Sequence, residues 1–336
     1  MSNAAVTLGW NVDLVDIDPL ALERTKAEIY PSRYGQWDEQ IRLELPGNIT
    51  TDSSVYDLII IGTPPETHLP LALDEIRKGA KRLLIEKPLT TPDMGLVSQL
   101  QSLVEETNCS IFVGYDHAVS DMSMALSTLE NSSSIISLDV DFREHWGGIF
   151  GAHPWLEGPH DSYLGFWKRG GGAGGEHSHA LHLWQHLARS YGKGEVVEVF
   201  ANASFSTAYG CDFDEFISIS LVTDQGFFGR VVQDVVTKPV KKGGTITTRQ
   251  DIYKFQFSYE GNNDKLVKYD NVNGAVETFE FRKTRADDFI TELRHIQATD
   301  FPLNSPIHLN TGLKTMSVID AAYESARSGK IIRIHL

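Results

Sequence analysis

Short unbroken apolar runs alternate with segments of helical period over the first third of the chain, and period-two alternation dominates the remainder. Leu58 to Ile61 is an apolar run of strand length, the pattern of a parallel strand covered on both faces, and Gly62-Thr63-Pro64-Pro65 ends it. Leu69, Leu73, Ile76 and Ala80 then recur at helical spacing, Gly79 supplies a stop, and Leu83 to Ile85 opens the next buried strand. Together these pieces predict a right-handed β-α-β crossover. The same reading predicts a strand over Asn11–Asp18 followed by a helix over Leu20–Ile29. It also places a helix from Thr91-Pro92-Asp93 to about Glu106 and a buried strand over Ser110–Gly114.

Beyond residue 117 the pattern changes. A helix near 119–130 leads to a strand over Ile135–Phe142, and further strands are predicted over Glu195–Phe205, Glu215–Val222, Phe227–Val236, Asp251–Tyr259, Lys265–Tyr269 and Glu277–Phe281. Turn signals such as Asp224-Gln225-Gly226 and Glu260-Gly261-Asn262-Asn263 separate them, as an antiparallel meander requires. Helices over Asp287–Thr299 and Gly312–Gly329 and a strand over Ile331–Ile334 close the chain. The fold class expected is an α/β Rossmann-type parallel sheet joined to an α+β domain with a large, mostly antiparallel sheet. The first domain spans 1–117 and the second 118–336, with the closing helices packing back toward the first.

Ligands of open parallel sheets bind outside the carboxyl ends of the strands, so Gly62, Thr63, Pro64, His68, Glu86 and Lys87 are candidate ligand contacts. Asp16, at the end of the strand over 11–18, has the position from which an acid bonds the adenosine ribose hydroxyls, which favours NAD and disfavours NADP. A Rossmann unit opens with a buried strand and a G-x-G-x-x-G turn, and only Val6-Thr7-Leu8-Gly9-Trp10 stands ahead of the acidic strand. The first strand and its phosphate loop are therefore expected to leave a gap between neighbouring strands. Two explanations stay open: a chain that begins further upstream, or a relative that has lost the phosphate site.

With 41% hydrophobic and 22% charged residues over 336 positions, the chain has an ordinary globular composition sufficient for about two domains. The excess of 45 acidic over 30 basic residues, a net −15, argues against nucleic-acid or anionic-membrane partners. Cys109 and Cys211 show neither a disulfide framework nor a metal spacing, and no apolar run approaches membrane-spanning length, so the cytoplasm is the expected location.

Two stretches carry candidate chemistry in the second part. Arg143 to Gly172 is dense in Trp, Phe, Tyr, His and Gly without a period, which suits either stacking on a sugar, with Trp155 as a candidate, or a self-packed loop. Gly170 to Leu187 begins with three glycines and continues as a helix. Ala180, Leu183, Trp184 and Leu187 form its apolar stripe, and Glu176, His179, His182 and His186 form the polar one. The histidine row lacks the H-E-x-x-H spacing of a zinc site, so no metal is expected and a sugar-lining role for His179 and His182 is preferred over a metal-dependent hydrolase or lyase.

The ordered segments GTPPETH, IEKP, GYDH and GGG…EHSH resemble the Gfo/Idh/MocA family, named for glucose-fructose oxidoreductase and inositol dehydrogenase, and the likeness covers most of the chain except its beginning. The resemblance implies a Lys-Asp-His constellation in which Lys87 is the lysine and Glu176 takes the Asp place. The His place falls on Ala180, with His179 one residue early, so which histidine acts stays open. It further implies that Asp116 and His117 face the nicotinamide and the substrate, although Asp116 and Ala118 stand where Asn and Arg are usual. The function implied is an NAD(H)-dependent oxidoreductase acting on a hydroxyl or keto carbon of a sugar, polyol or nucleotide sugar, as a homodimer or homotetramer. The alternative is a non-catalytic sugar-binding or structural relative without the phosphate loop.

Overall fold

The computed structural model describes residues 1–129, 134–299 and 302–334. Strands β1 (Val12–Val15) and β2 (Ile41–Glu44) pair in parallel, and β3 (Ile59–Ile61), β4 (Arg82–Ile85) and β5 (Ser110–Val113) form a second parallel set in that order. Ile61, Leu83 to Ile85 and Ile111 to Val113 are buried, as continuous apolar strands covered on both faces require. Among the described residues no ladder joins the two sets. A cleft of about 830 Å³ lies between them, lined in part by Asp13, Arg42, Tyr56, Leu58 and Arg82. The Tyr56 hydroxyl crosses it to donate to Asp13 at 3.0 Å. The cleft is the gap expected between these neighbours.

Several elements differ from expectation. The helix predicted to start at Thr91 runs over Val97–Thr107 instead, because Asp93 accepts hydrogen bonds from Thr91 Oγ1 and Gly95 N and ties the intervening residues into a turn. The helix predicted over 119–130 runs over Asp121–Ser127, and residue 130 lies outside the described residues. The helix over 20–29 starts at Pro19, capped by Asp18, and continues through a π-turn to Tyr34.

The second sheet has nine strands: β6 (Ile135–Arg143), β7 (Val196–Ser206), β8 (Phe213–Thr223), β9 (Phe228–Asp234), β10 (Lys241–Thr248), β11 (Asp251–Phe257), β12 (Asp264–Asp270), β13 (Val276–Phe281) and β14 (Ile332–Arg333). Their order is β13-β12-β11-β10-β6-β9-β8-β7-β14. It is not one meander: β6 lies parallel to β9 and joins two antiparallel halves. Strand β10 carries no expected strand signal, since Lys241-Lys242-Gly243-Gly244 reads as a turn. A Cβ on Gly244 would lie 2.3 Å from Asp139 O and 2.5 Å from the Phe255 ring, so only glycine lets β6, β10 and β11 close up there.

Val199, Leu221, Gly229 and Leu138 line up across four strands on the covered face, and the helices Ser178–Ser190 and Leu309–Ser328 pack over it. Trp184 is fully buried there and donates from Nε1 to Leu138 O at 2.8 Å. The opposite face exposes Phe200, Ser220, Arg230 and Phe228. Among the described residues no helix is long and apolar enough to cross a membrane.

Gly229 is the tightest point of this packing. A Cβ there would lie 2.1 Å from Leu138 O and 2.6 Å from Trp184 Nε1. Gly229→Ala is expected to destabilise the fold by roughly 3 kcal/mol, read as a lower urea midpoint with an unchanged slope by circular dichroism; an unaltered midpoint would refute this account of the packing.

Candidate active site

Strand β4 ends at Ile85, so Glu86 and Lys87 leave the sheet at its carboxyl edge. Glu86 N donates to Ile61 O and Gly114 N to Ile85 O, which carries the ladder one residue beyond the strands and aligns the ends of β3, β4 and β5. A Cβ at Gly114 would come 2.8 Å from Glu86 Oε2, so the glycine makes room for that carboxylate. Burial pushes the Glu86 carboxyl up, and the negative charge of Asp116 pushes it further. His68 is buried. Its Nε2 lies 2.6 Å from Thr63 O and its Nδ1 3.1 Å from Pro88 O, so the ring ties the loop after β3 to the loop after β4.

Lys87 Nζ donates to the backbone O of Glu176 at 2.8 Å and to its Oε2 at 3.1 Å, with both side chains mostly buried. Burial alone would raise the Glu176 carboxyl, but the charge and hydrogen bond of Lys87 hold it below its ordinary value. The glycines bring Glu176 to this point. Gly170, at φ +92, packs where a Cβ would meet Pro65 and Pro88, and a Cβ on Gly175 would lie 1.9 Å from Gly170 O. Asp214 anchors the turn by accepting from Gly174 N at 2.8 Å and from the Tyr323 hydroxyl at 2.9 Å.

The predicted single helix over this segment is two: Gly172–Glu176 and Ser178–Ser190, broken at His177. Glu176 and His179 therefore do not share one helical stripe, and the break lets Glu176 turn to Lys87. The expected polar face is also largely buried. His182 is 1% exposed, stacks on Tyr115 at 4.0 Å and lies with Nε2 3.0 Å from Pro306 O, which makes it a packing residue rather than the sugar contact expected. His186 is not brought to Lys87 by any contact.

His179 approaches a different pair. Its Nδ1 is 3.6 Å from Asp116 Oδ1, and Asp116 Oδ1 also accepts from His117 Nδ1 and His117 N, each at 2.7 Å. The His117 and His179 rings are 4.5 Å apart, centroid to centroid. Burial would raise the Asp116 carboxyl, but His117, by charge and hydrogen bond, and then His179 hold it well below the usual range. Burial, then the nearby His117, pushes the His179 imidazole well below its usual value, so the ring is neutral near pH 7.

Of the residues expected to bind ligand, Lys87, Glu176, Glu86, Asp116, His117 and His179 converge at the ends of β4 and β5 and the break at His177. Gly62, Thr63 and Pro64 are exposed on the loop beside them. Asp16 directly follows β1, part exposed, with Oδ1 accepting from Asp18 N at 2.9 Å. Trp155 lies elsewhere: its ring packs on His153 and faces Arg24 and Arg33. Other aromatics of 143–172 pack against the second sheet and the closing helix, Trp146 on Phe150 and Phe213 and Trp167 on Phe205 and Tyr323. Three neighbours carried no sequence signal of their own. Tyr163 lies in electrostatic range of Glu176 and Glu86, Lys242 lies near His177 and His179, and Glu292 is fully buried near Asp116 and Glu86.

Residues 22–115 match the family model of the Gfo/Idh/MocA type, described as an oxidoreductase family with an NAD-binding Rossmann fold. Solved structures share the fold over nearly the whole chain. Aldose-aldose oxidoreductase from Caulobacter crescentus, in complex with glycerol, is 18% identical with a TM-score of 0.72, over 96% of this chain and 91% of that one. Levoglucosan dehydrogenase, in complex with NADH and levoglucosan, is 15% identical with a TM-score of 0.75, over 96% and 90%. The WlbA dehydrogenase from Bordetella pertussis, in complex with NADH and UDP-GlcNAcA, is 19% identical with a TM-score of 0.68, over 99% and 94%. Among curated proteins no sequence relative matches.

Asp214 supplies a test of the glycine turn. Burial raises its carboxyl from 3.8 to about 7, against the hydrogen bond from Gly174. The folded state therefore holds an extra proton between these values, so the stability it brings is complete below about pH 4 and is lost as the pH rises toward 7. Asp214→Asn removes the charge while its amide oxygen still accepts from Gly174 N and its NH2 donates to the Tyr323 hydroxyl oxygen. Its stability relative to wild type, from urea unfolding, should rise by a few kcal/mol between pH 4.5 and pH 7; a difference independent of pH would contradict this.

Proposed function

We propose, from the Gfo/Idh/MocA type of residues 22–115 and the fold of the whole chain, that this protein is an NAD(H)-linked oxidoreductase acting on a hydroxyl or keto carbon of a sugar, polyol or nucleotide sugar. The observation that carries the reading is the bond between Lys87 and Glu176, which joins the end of β4 to the glycine turn of the second sheet beside a neutral His179. That the solved relatives were crystallised with levoglucosan, UDP-GlcNAcA or myo-inositol supports the substrate class.

The residues present fit both ends of a dinucleotide. Thr63, Pro64, Glu86 and Lys87 line the carboxyl ends of the strands where the nicotinamide end would lie, with space for the Glu86 carboxylate made by Gly114, and Asp16 would take the adenosine ribose. Among the described residues no glycine-rich turn follows a buried strand ahead of β1, so the pyrophosphate end has no evident cradle in these residues. The nicotinamide, when bound, supplies the acceptor or donor of hydride.

The protein residues supply proton and charge. The ammonium of Lys87, held in place by Glu176, stabilises negative charge developing on the reacting oxygen. In oxidation His179 accepts the hydroxyl proton at Nδ1, and Asp116 beside the ring stabilises the imidazolium that results. His117 fixes Asp116 through Nδ1 and leaves its other ring nitrogen for a neighbouring hydroxyl. The exposed face carrying Phe200 and Phe228 supports self-association as a homodimer or homotetramer.

Lys87→Met is expected to lower turnover about 1,000-fold or more while NADH affinity changes little; retained turnover in a variant with a normal melting curve would sink the role of Lys87. NADH, titrated by fluorescence beside NADPH, should bind preferentially, and absence of binding to either would overturn the dehydrogenase reading of this chain. Light scattering on a size-exclusion column should report two or four chains per particle, and a monomer across the working concentration range would remove the assembly proposal.

A further inference from the structure

We propose that Asp116, His117 and His179 form a binding site for one divalent transition-metal ion of the zinc class. This goes beyond the oxidoreductase reading and rests on donor geometry; an ion on His179 Nδ1 takes the lone pair that would otherwise accept the substrate proton, so the metal-bound and proton-accepting forms exclude each other. One carboxylate oxygen and one ring nitrogen from each histidine lie within 4.8 Å of one another. Asp116 Oδ1 is 2.7 Å from His117 Nδ1 and 3.6 Å from His179 Nδ1. Donors bound to a common ion at about 2.0–2.1 Å stand roughly 3 to 3.4 Å apart. These two separations bracket that spacing and the third is within 4.8 Å, so side-chain shifts bring all three onto one ion, with the His117 proton leaving Nδ1 for Nε2.

A second observation points the same way. His179 Nδ1 is buried and has no hydrogen-bond partner, although it is turned toward Asp116. His177 Nε2 and His186 Nε2 are unpartnered as well, but of these histidines only His179 has its free nitrogen facing a carboxylate of the trio. The rings are also held by packing rather than free to turn. His117 lies edge-on to Phe142 and Phe257, and His179 lies edge-on to Tyr115. Preorganised donors of this kind are what a metal site needs.

The charge balance favours a cation. Three lysines of this region have carboxylate partners: Lys87 pairs with Glu176, Lys242 with Glu144, and Lys283 with Asp264 and Asp288. Glu86, Asp288 and Glu292 all feel the charge of Asp116, so carboxylates crowd this point. Two imidazoles and one carboxylate suit zinc, cobalt, nickel or ferrous iron and not calcium or magnesium, which prefer oxygen donors. Three protein donors leave at least one position for an oxygen ligand, as in catalytic rather than structural zinc sites.

The helical histidine row is not this site, since only His179 belongs to both. A second trio, Glu157, His160 and Asp161, is exposed and must be silenced in the test. Untagged protein carrying His160→Ala, stripped with chelator and dialysed, is titrated with Co²⁺. Bound metal is counted by elemental analysis, and ligation is read from visible ligand-field absorption and its loss on adding Zn²⁺. One ion per chain is expected. Asp116→Asn, His117→Gln and His179→Ala should each weaken binding at least ~10-fold, and His186→Asn should not. Melting curves identify any variant that fails to fold, and His117→Gln, at a part-exposed position, serves if His179→Ala does. No stoichiometric Co²⁺, or binding that survives Asp116→Asn and His117→Gln, would overturn the site.

Discussion

The contact between Lys87 and Glu176 is the constraint on which the rest of the site depends. An ammonium and a carboxylate, each mostly withdrawn from water, tolerate burial only when paired with good geometry and further hydrogen bonds. Lys87 meets the condition by donating to both the carboxylate and the carbonyl of Glu176. The pair joins residues 89 positions apart, one at the end of a parallel strand and one at the end of a glycine turn. Breaking either member leaves a buried charge without its partner, so the approach of the two sheets and the electrostatics of the site are one problem.

The glycines answer the steric half of that problem. A side chain at Gly170 would push against Pro65 and Pro88, one at Gly172 against Asp214, and one at Gly175 against Gly170 O. The segment therefore packs backbone to loop with no side chains intervening, and the chain breaks at His177 so that Glu176 and His179 point to different partners. His68 completes the arrangement from the other side by tying together the loops after β3 and β4. The ion pair between Arg169 and Glu66 adds an exposed link along the same seam, with Nε 2.8 Å from Oε1.

Carboxylates gathered around Asp116 explain why the residues next to Lys87 behave so differently from one another. Burial acts on all of them, raising acids and lowering histidines, but only those with a close opposite partner escape it. Asp116 and Glu176 escape, through His117 and Lys87. Glu86 and Glu292 do not, because their nearest strong influence is another carboxylate. The site thus holds acids pushed down and acids pushed up side by side, the condition under which protons and cations are handled at defined atoms.

The sequence alone determined what is local. Apolar runs at Leu58–Ile61 and Leu83–Ile85 specify buried parallel strands because period and length are properties of neighbouring residues, and the motifs around Lys87 and Glu176 carry their glycines and prolines in plain view. Most strands of the large sheet were legible for the same reason. Strand β10 was not, since its glycines are demanded by Asp139 and Phe255 across the sheet and read locally as a turn. Only the tertiary structure decided that the helix breaks at His177, that His182 serves packing under Tyr115, that Trp155 faces Arg24 and Arg33, and that Asp116, His117 and His179 meet. Each of these is a contact between residues far apart in the chain, settled by which groups can be buried together, and no spacing within a single segment encodes it.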